Sequence, residues 1–437
     1  MIFGIPVFLA ILAFVLVIFI HELGHYMVGR LCGIGVNAFS IGFGPKLISY
    51  IDKNNTEWKL CLIPLGGFVQ FQSNDKSFQQ KIVIQKENKK NLVVKVAQCN
   101  FEAASILARS LTIISGPLAN FLMSVLIFAF VAMITGTVSN KPIIGNVIEL
   151  PDNRIALMPG DRVLSVQGTQ IETFSEIYDF SAQFNKNDNI ELRVLRGEET
   201  LDLKVPYLFQ PVVLHVEMFS PAMEAGIEVG DVFVKANDNR ISSFDDIRSV
   251  VNYSEGNPIS VMIWRNGMTF NSTIYPELRP TQTKNGNLVE EMRIGVRGGP
   301  FLSPKLTTPN VFEAFKIGVQ MTGYVVKTSL VGLARIIDNT ISPKHLSGPV
   351  GVAKALSYSA SEGFIPFLSL FAAISAGIGL VNLFPIPILD GGHLIMLLYE
   401  FAFKMPPPDY LVKFLMTVGF FILFALMIFA TFNDIVR

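Results

Sequence analysis

Cysteine is scarce: Cys32, Cys61 and Cys99 are the three in 437 residues, and none lies in the long polar middle of the chain. That scarcity excludes a disulfide framework, and no CxxC pair is present to hold a metal through sulfur. Free thiols on a reducing side are expected. Net charge is also missing. The 35 Lys and Arg balance the 35 Asp and Glu, so a nucleic-acid partner has no overall electrostatic support. No Lys or Arg precedes Arg30. The apolar N-terminal stretch therefore lacks the basic flank of a signal peptide. It also lacks a small-residue cleavage site, and its apolar run is too long.

What the chain has in quantity is apolar. Half of its residues are hydrophobic, and the mean hydropathy is +0.45. That suits an integral membrane protein. Four segments, about 4–26, 107–136, 364–384 and 411–432, reach the roughly 20 apolar residues a span needs. Ten basic residues crowd 30–105, from Arg30 to Lys95, so the positive-inside rule puts that segment in the cytoplasm. Both termini and the large region 137–362 are then expected outside. A fifth stretch, IGVQMTGYVVKTSLVGLARII (317–337), carries Lys327 at its centre. A mid-span lysine is expensive, and the stretch reads as an amphipathic helix on the outer surface.

Against that background, HELGH (21–25) stands at the end of the first apolar run. On a helix His21 and His25 are one turn apart, about 6 Å in rise, on the same face. Two imidazoles so placed can share a Zn²⁺, and Glu22 beside them can take a proton from a water held there. His21 lies some 17 residues into the span, ~26 Å along it at ~1.5 Å per residue. That is near the cytoplasmic end of a hydrocarbon core ~30 Å thick. A catalytic zinc usually has three protein ligands, so a third donor is needed at that depth. NLFPIPILDGGH (382–393) offers one. The third span enters from outside near Phe364, so Asp390 also arrives toward the cytoplasmic face. Asp390 can alternatively N-cap the following helix, and His393 and Glu400 are rival donors. Pro385 and Pro387 break the helix. Broken backbone at membrane depth is tolerated where it lines a cavity or packs in protein.

HELGH, SGPLANF (115–121) and NLFPIPILDGG together resemble the site-2 protease family of intramembrane zinc metalloproteases, over essentially the whole chain. LSGPVGVAK (346–354) also matches that family. The resemblance implies Zn²⁺ held by His21, His25 and Asp390, with Glu22 as the base. It implies that Asn382 and the Pro385–Pro387 segment hold the substrate backbone, and that Asn120 packs near the site. It places the protein in a bacterial inner membrane, in contact with lipid. The implied substrates are single-pass membrane proteins, an anti-sigma factor and remnant signal peptides, cut after an earlier periplasmic cleavage. One departure is Ala104, where the family commonly has a lysine a few residues before Arg109. Two rival classes remain: a non-catalytic membrane scaffold, which retention of Glu22 argues against, and a metal transporter. A transporter would spread its polar residues along a path rather than cluster them at one depth.

VNAFSIGFGPKLISYI and EWKLCLIPLGGFVQF, within 36–72, read as bent strands of a membrane-associated β-hairpin whose edge can pair with an extended substrate. A polar arm follows at 73–98. Farther on, an internal repeat at offset 70 aligns MPGDRVLSVQGTQIETFSEI (158–177) with EVGDVFVKANDNRISSFDDI (228–247). Both copies read as small α+β, PDZ-like domains, with Asp238 replacing Gly168 in the second. The fold class expected is a membrane protein of four transmembrane helices, a membrane-associated β-hairpin and two PDZ-like periplasmic domains. Its parts are the first span (1–29), hairpin and arm (30–105), second span (106–136), PDZ-like domains (137–207 and 208–280), a linker with the amphipathic helix (281–362), and the last two spans (363–437).

Overall fold

The computed structural model describes residues 4–73, 99–151, 155–186, 188–282 and 288–436. The polar arm after the hairpin (74–98) lies outside them. The helices are α1 (Gly4–Leu31), α2 (Ile106–Thr135), α3 (Phe174–Ser181), α4 (Pro221–Glu224), α5 (Phe244–Tyr253), α6 (Val311–Ile337), α7 (Pro349–Glu362), α8 (Phe364–Asn382), α9 (Asp390–Phe403) and α10 (Asp409–Val436). Among the described residues, α1, α2, α8 and α10 are long and apolar enough to cross a membrane. The chain divides into two compact units. One takes in Met1–Val131, Val311–Val331 and Pro343–Arg437; the other takes in Ala132–Asn310 and Gly332–Ser342.

In the first unit, small residues let the helices approach closely, because lipid supplies no hydrophobic drive between spans. Ala10, Ala13 and Val17 of α1 are buried against Leu356 of α7 and Phe371 of α8. A Cβ added at Gly24 of α1 would stand 2.4 Å from the Ser115 carbonyl oxygen of α2. The amphipathic stretch is helical, but it does not simply lie on a surface. In α6 a Cβ at Gly318 would meet the Val125 carbonyl oxygen of α2 at 2.2 Å, and Thr322 hydrogen-bonds Ser124 at 3.0 Å. Gly318 and Thr322 make a small, polar seam, which the apolar composition of 317–337 masks in a reading by hydropathy. At the chain end, Asp434 of α10 accepts the amides of Gly348 and Gly351 at the start of α7.

The hairpin strands β1 (Val36–Ile51) and β2 (Glu57–Phe71) bend sharply, with positive φ at Gly42, Gly44 and Gly66. The bend folds the ladder back on itself. Ala38–Ile41 pairs with Gly67–Gln70 on one side and with Glu57–Leu60 on the other. Gly67–Phe71 is thereby left as an edge strand among the described residues. Leu47, Ile48, Tyr50, Ile51, Leu62 and Ile63 of the hairpin are exposed, an apolar surface of the kind that marks a protein or membrane contact.

In the second unit the repeat is realised strand for strand. Arg162–Val166, Thr169–Gln170, α3, Asn189–Arg196 and Glu199–Pro206 correspond to Val232–Ala236, Asn239–Arg240, α5, Ile259–Arg265 and Met268–Ile274. The ladder register shifts at the same place in both, between Val163 and Ser165 and between Phe233 and Lys235. Each copy buries an aspartate that a C-terminal arginine clamps. Arg196 donates to both oxygens of Asp161 at 2.8 Å, and Arg265 to both of Asp231 at 2.6 and 2.8 Å. The two-residue turn survives the loss of Gly168 in the second copy, though Asp238 is not the residue that takes the left-handed conformation. Asn237 does so, at φ 52°.

Residues 281–362 are more than a linker. Val296–Gly299 adds to the second sheet beside Val212–Val216, and Leu302–Pro304 pairs with Ile144–Val147. Phe301 and Leu302 are buried in the first core, so the second domain is inserted within the first.

The aspartate clamp has a pH consequence. Burial pushes the Asp161 carboxyl up, but the Arg196 guanidinium and the Met158 amide more than offset this and hold it below its usual 3.8. A carboxyl depressed on folding stabilises above its unfolded value and loses that contribution as pH falls through the folded one. Protease resistance of this unit in the full chain should therefore drop as pH falls below about 4. Asp161→Asn should flatten that drop; an unchanged profile would contradict the clamp's role.

Candidate active site

The candidate site lies wholly within the first unit, where α1, α2 and α9 meet. His21, Glu22 and His25 are each 8% exposed, buried although two of them are polar by necessity and one is acidic. His21 Nε2 and His25 Nε2 are 3.2 Å apart, and Asp390 Oδ2 lies 3.1 Å from the first and 3.4 Å from the second. Among the described residues this is the group of His, Cys, Asp or Glu arranged to hold a metal ion.

The chemistry of these atoms fits a cation. His25 Nδ1–H donates to the Thr112 carbonyl of α2 at 2.8 Å, which leaves the lone pair on Nε2 facing the cluster. Asp390 Oδ2 is buried with no hydrogen-bond partner. Lone pairs converging in this way repel one another unless a positive charge lies between them. Donors ~2.0–2.1 Å from a tetrahedral zinc stand ~3.4 Å apart, close to the three separations found. His21 is backed similarly by Asn120, which is fully buried, with its amide nitrogen 3.4 Å from Nδ1 and its Oδ1 unpartnered. Turning that amide over lets Nδ1–H donate to Oδ1 and satisfies both groups.

Asp390 is not an N-cap. Leu389 occupies that position, and no side-chain cap bond forms. The loop 383–389 aims Asp390 at the histidines by packing closely under α9. A Cβ at Gly391 would stand 2.3 Å from the Leu383 and Phe384 oxygens, and one at Gly392 would stand 2.3 Å from that of Ile386. The rival donors do not join the cluster. Glu400 pairs with Arg109, and His393 only lines the cleft beside it.

That cleft holds about 550 Å³. His21, Glu22, His25, Asn382, Asp390 and the edge strand Gly67–Val69 line it. Asn382 Nδ2 lies 3.5 Å from His21 Nε2, so Asn382 belongs to the site. Pro385 and Pro387 do not line the cleft; Ile388 and Leu389 do. Pro387 instead packs toward α10, where a Cβ at Gly419 would meet its Cδ at 3.2 Å. Pro387 thus packs into the loop and Pro385 is exposed outside the cleft, a distinction that helix-breaking propensity alone does not carry.

Gly116, within SGPLANF, packs directly against the histidine cluster. A Cβ there would stand 2.3 Å from His25 Nε2. Gly116→Ala should displace that nitrogen and lower zinc affinity by at least the ~10–100-fold typical of outer-shell changes. Gly377→Ala, where a Cβ meets nothing within 4 Å, is the control. Equal metal binding by both would contradict the packing described.

Two imidazoles and two carboxylates in a cleft lined by three of the four apolar helices and a hairpin strand define a hydrolytic centre of metallopeptidase type on helices apolar enough to cross a membrane. The chain belongs to peptidase family M50, which it matches over residues 9–426. It is similar to the Regulator of sigma E protease of Haemophilus influenzae, at 30% identity over 469 residues, covering 98% of each chain. A candidate zinc metalloprotease of Mesorhizobium japonicum is 30% identical over 420 residues, covering 96% of this chain and 95% of its own. Another, from Agrobacterium fabrum, is 29% identical over 429 residues, covering 97% and 94%. The PDZ domain of an SdrC-like protein from Listeria monocytogenes aligns with 22% of this chain and 93% of its own at 18% identity, with a TM-score of 0.17.

Proposed function

We propose that the chain is a zinc metalloendopeptidase that cuts single-pass membrane proteins within the bilayer, with His21, His25 and Asp390 as the metal ligands. The observation that carries this reading is the convergence of three unshared donor atoms beside Glu22 in a cleft built on membrane-spanning helices. Bound there, Zn²⁺ supplies a Lewis acid for the scissile carbonyl and the attacking water. Glu22 takes the proton from that water and delivers it to the departing amide nitrogen. Its burial beside the metal ligands keeps bulk water from competing for that proton.

A helical substrate hides its peptide bonds, so a short stretch must unwind and its freed amides and carbonyls must find partners. The edge strand Gly67–Phe71 offers its backbone by strand addition along the cleft. Asn382 offers a side-chain amide next to His21. The exposed apolar side chains of the hairpin support its immersion in the membrane from the cytoplasmic side. The two domains of the second unit act as PDZ-like periplasmic domains whose bulk excludes substrates that still carry large outer domains. Cleavage therefore follows an earlier cut. An anti-sigma factor and remnant signal peptides in a bacterial inner membrane are the substrate classes. The similarity to a Regulator of sigma E protease supports the first of them.

Purified protein in detergent should carry a single zinc and cleave a transmembrane peptide. A chelator should abolish cleavage, and added zinc should restore it. Cleavage that persists in zinc-free protein would refute the reading.

A further inference from the structure

Arg109 and Glu400 take no part in the chemistry above, yet they form a two-pronged ion pair inside the first unit. Arg109 Nη1 donates to Glu400 Oε2 at 2.9 Å, and Nη2 donates to Oε1 at 2.5 Å. Arg109 Nε donates to the Ala104 carbonyl at 3.1 Å, so the guanidinium is held from both sides. The two side chains are only 11% and 19% exposed.

Their places on the helices are informative. Glu400 lies on α9 ten residues beyond Asp390, ~15 Å of helix. Near that end of α9 Leu398, Phe401 and Phe403 are exposed while Leu397 is buried, and the fork to Arg109 ties this turn to α2. Arg109 lies on α2 one turn before Thr112, whose carbonyl accepts His25 Nδ1–H. Residues three apart on a helix share a face. A closed path therefore runs from Asp390 along α9 to Glu400, across to Arg109, along one turn of α2 to Thr112, and on to His25. Its two ends, Asp390 Oδ2 and His25 Nε2, are 3.4 Å apart.

We propose that the Arg109–Glu400 pair is a positioning clamp that sets Asp390 against the histidine pair; this rests on reading those three residues as the zinc ligands. A guanidinium fork on a carboxylate fixes an angle as well as a distance. A pair this buried adds little net stability over an apolar contact of the same shape. Its contribution is geometric, and the quantity it controls is metal affinity.

The test is zinc affinity by chelator competition, with thermal unfolding of the same full-length samples in detergent. The variants are Arg109→Gln, Glu400→Gln, Arg109→Lys and the exchange Arg109→Glu with Glu400→Arg. Each Gln variant should raise the zinc Kd ~10–100-fold, as loss of an outer-shell partner does. Arg109→Lys keeps the charge but loses the fork and should fall between wild type and Gln. The exchange should recover most of the lost affinity. Wild-type affinity in the Gln variants overturns the clamp, as does an exchange no better than the single changes. If the Gln variants do not fold, wild-type affinity in Arg109→Lys overturns it. Wild-type protein that binds no zinc refutes the metal site itself, which separates the two failures.

Discussion

Glu22→Gln should keep its zinc and lose cleavage by about 10²–10⁴-fold, the range for removal of a positioned general base. Glutamine preserves the shape of the side chain but cannot accept the water's proton. The three donor atoms stay in place because none of them is Glu22. Packing should also survive: Glu22 Cγ lies against Gly67, where an added Cβ would meet it at 2.9 Å, and the Gln side chain retains that methylene. Rate and metal content, measured on the same preparation, separate the base from the ligands. Loss of zinc in this variant would show that Glu22 belongs to the ligand set.

Asp390→Asn should do the opposite, removing metal and activity together. The carboxylate contributes the one negative charge among the three donors, and a neutral amide is a much weaker ligand for Zn²⁺. Zinc affinity should fall by more than the ~10–100-fold that outer-shell changes cause. Folding should survive, because Asp390 makes no cap bond and its Oδ2 has no hydrogen-bond partner to lose. Thermal unfolding of metal-free wild type and variant should therefore agree. A variant that keeps full zinc occupancy would remove Asp390 from the site.

How much of this is legible in the chain depends on the range over which each contact acts. HELGH declares itself because helical spacing alone puts His21 and His25 on one face. Asp390 becomes a candidate only when the direction of the third span is included, since depth rather than spacing brings it to the histidines. The Thr112 carbonyl has no sequence signal, being a backbone atom on another helix. Gly116 has a faint one, a glycine before a proline inside an apolar run, but what it makes room for is visible only when α1 packs on α2. Arg109 and Glu400 are 291 positions apart, and neither residue announces its partner. Pro385 and Pro387 mark a break correctly without telling which side of the loop faces the cleft.

The second unit shows the same division. The offset of 70 residues carries over to strands, bulges and the buried aspartates, because each depends on turns and alternation within a copy. Val296–Gly299 and Leu302–Pro304 escape that pattern. They are short, the first ends in two glycines, and their partners lie about 80 and 155 residues upstream. Such long-range pairing is set by the whole fold rather than by local propensity.

The most direct test of intramembrane cleavage is the mass of the products. Purified protein should be incubated with a single-pass substrate whose outer domain has been removed, and both fragments should be measured. New termini inside the apolar segment, absent with Glu22→Gln, are what the site at membrane depth predicts. Termini confined to the polar flanks would contradict it.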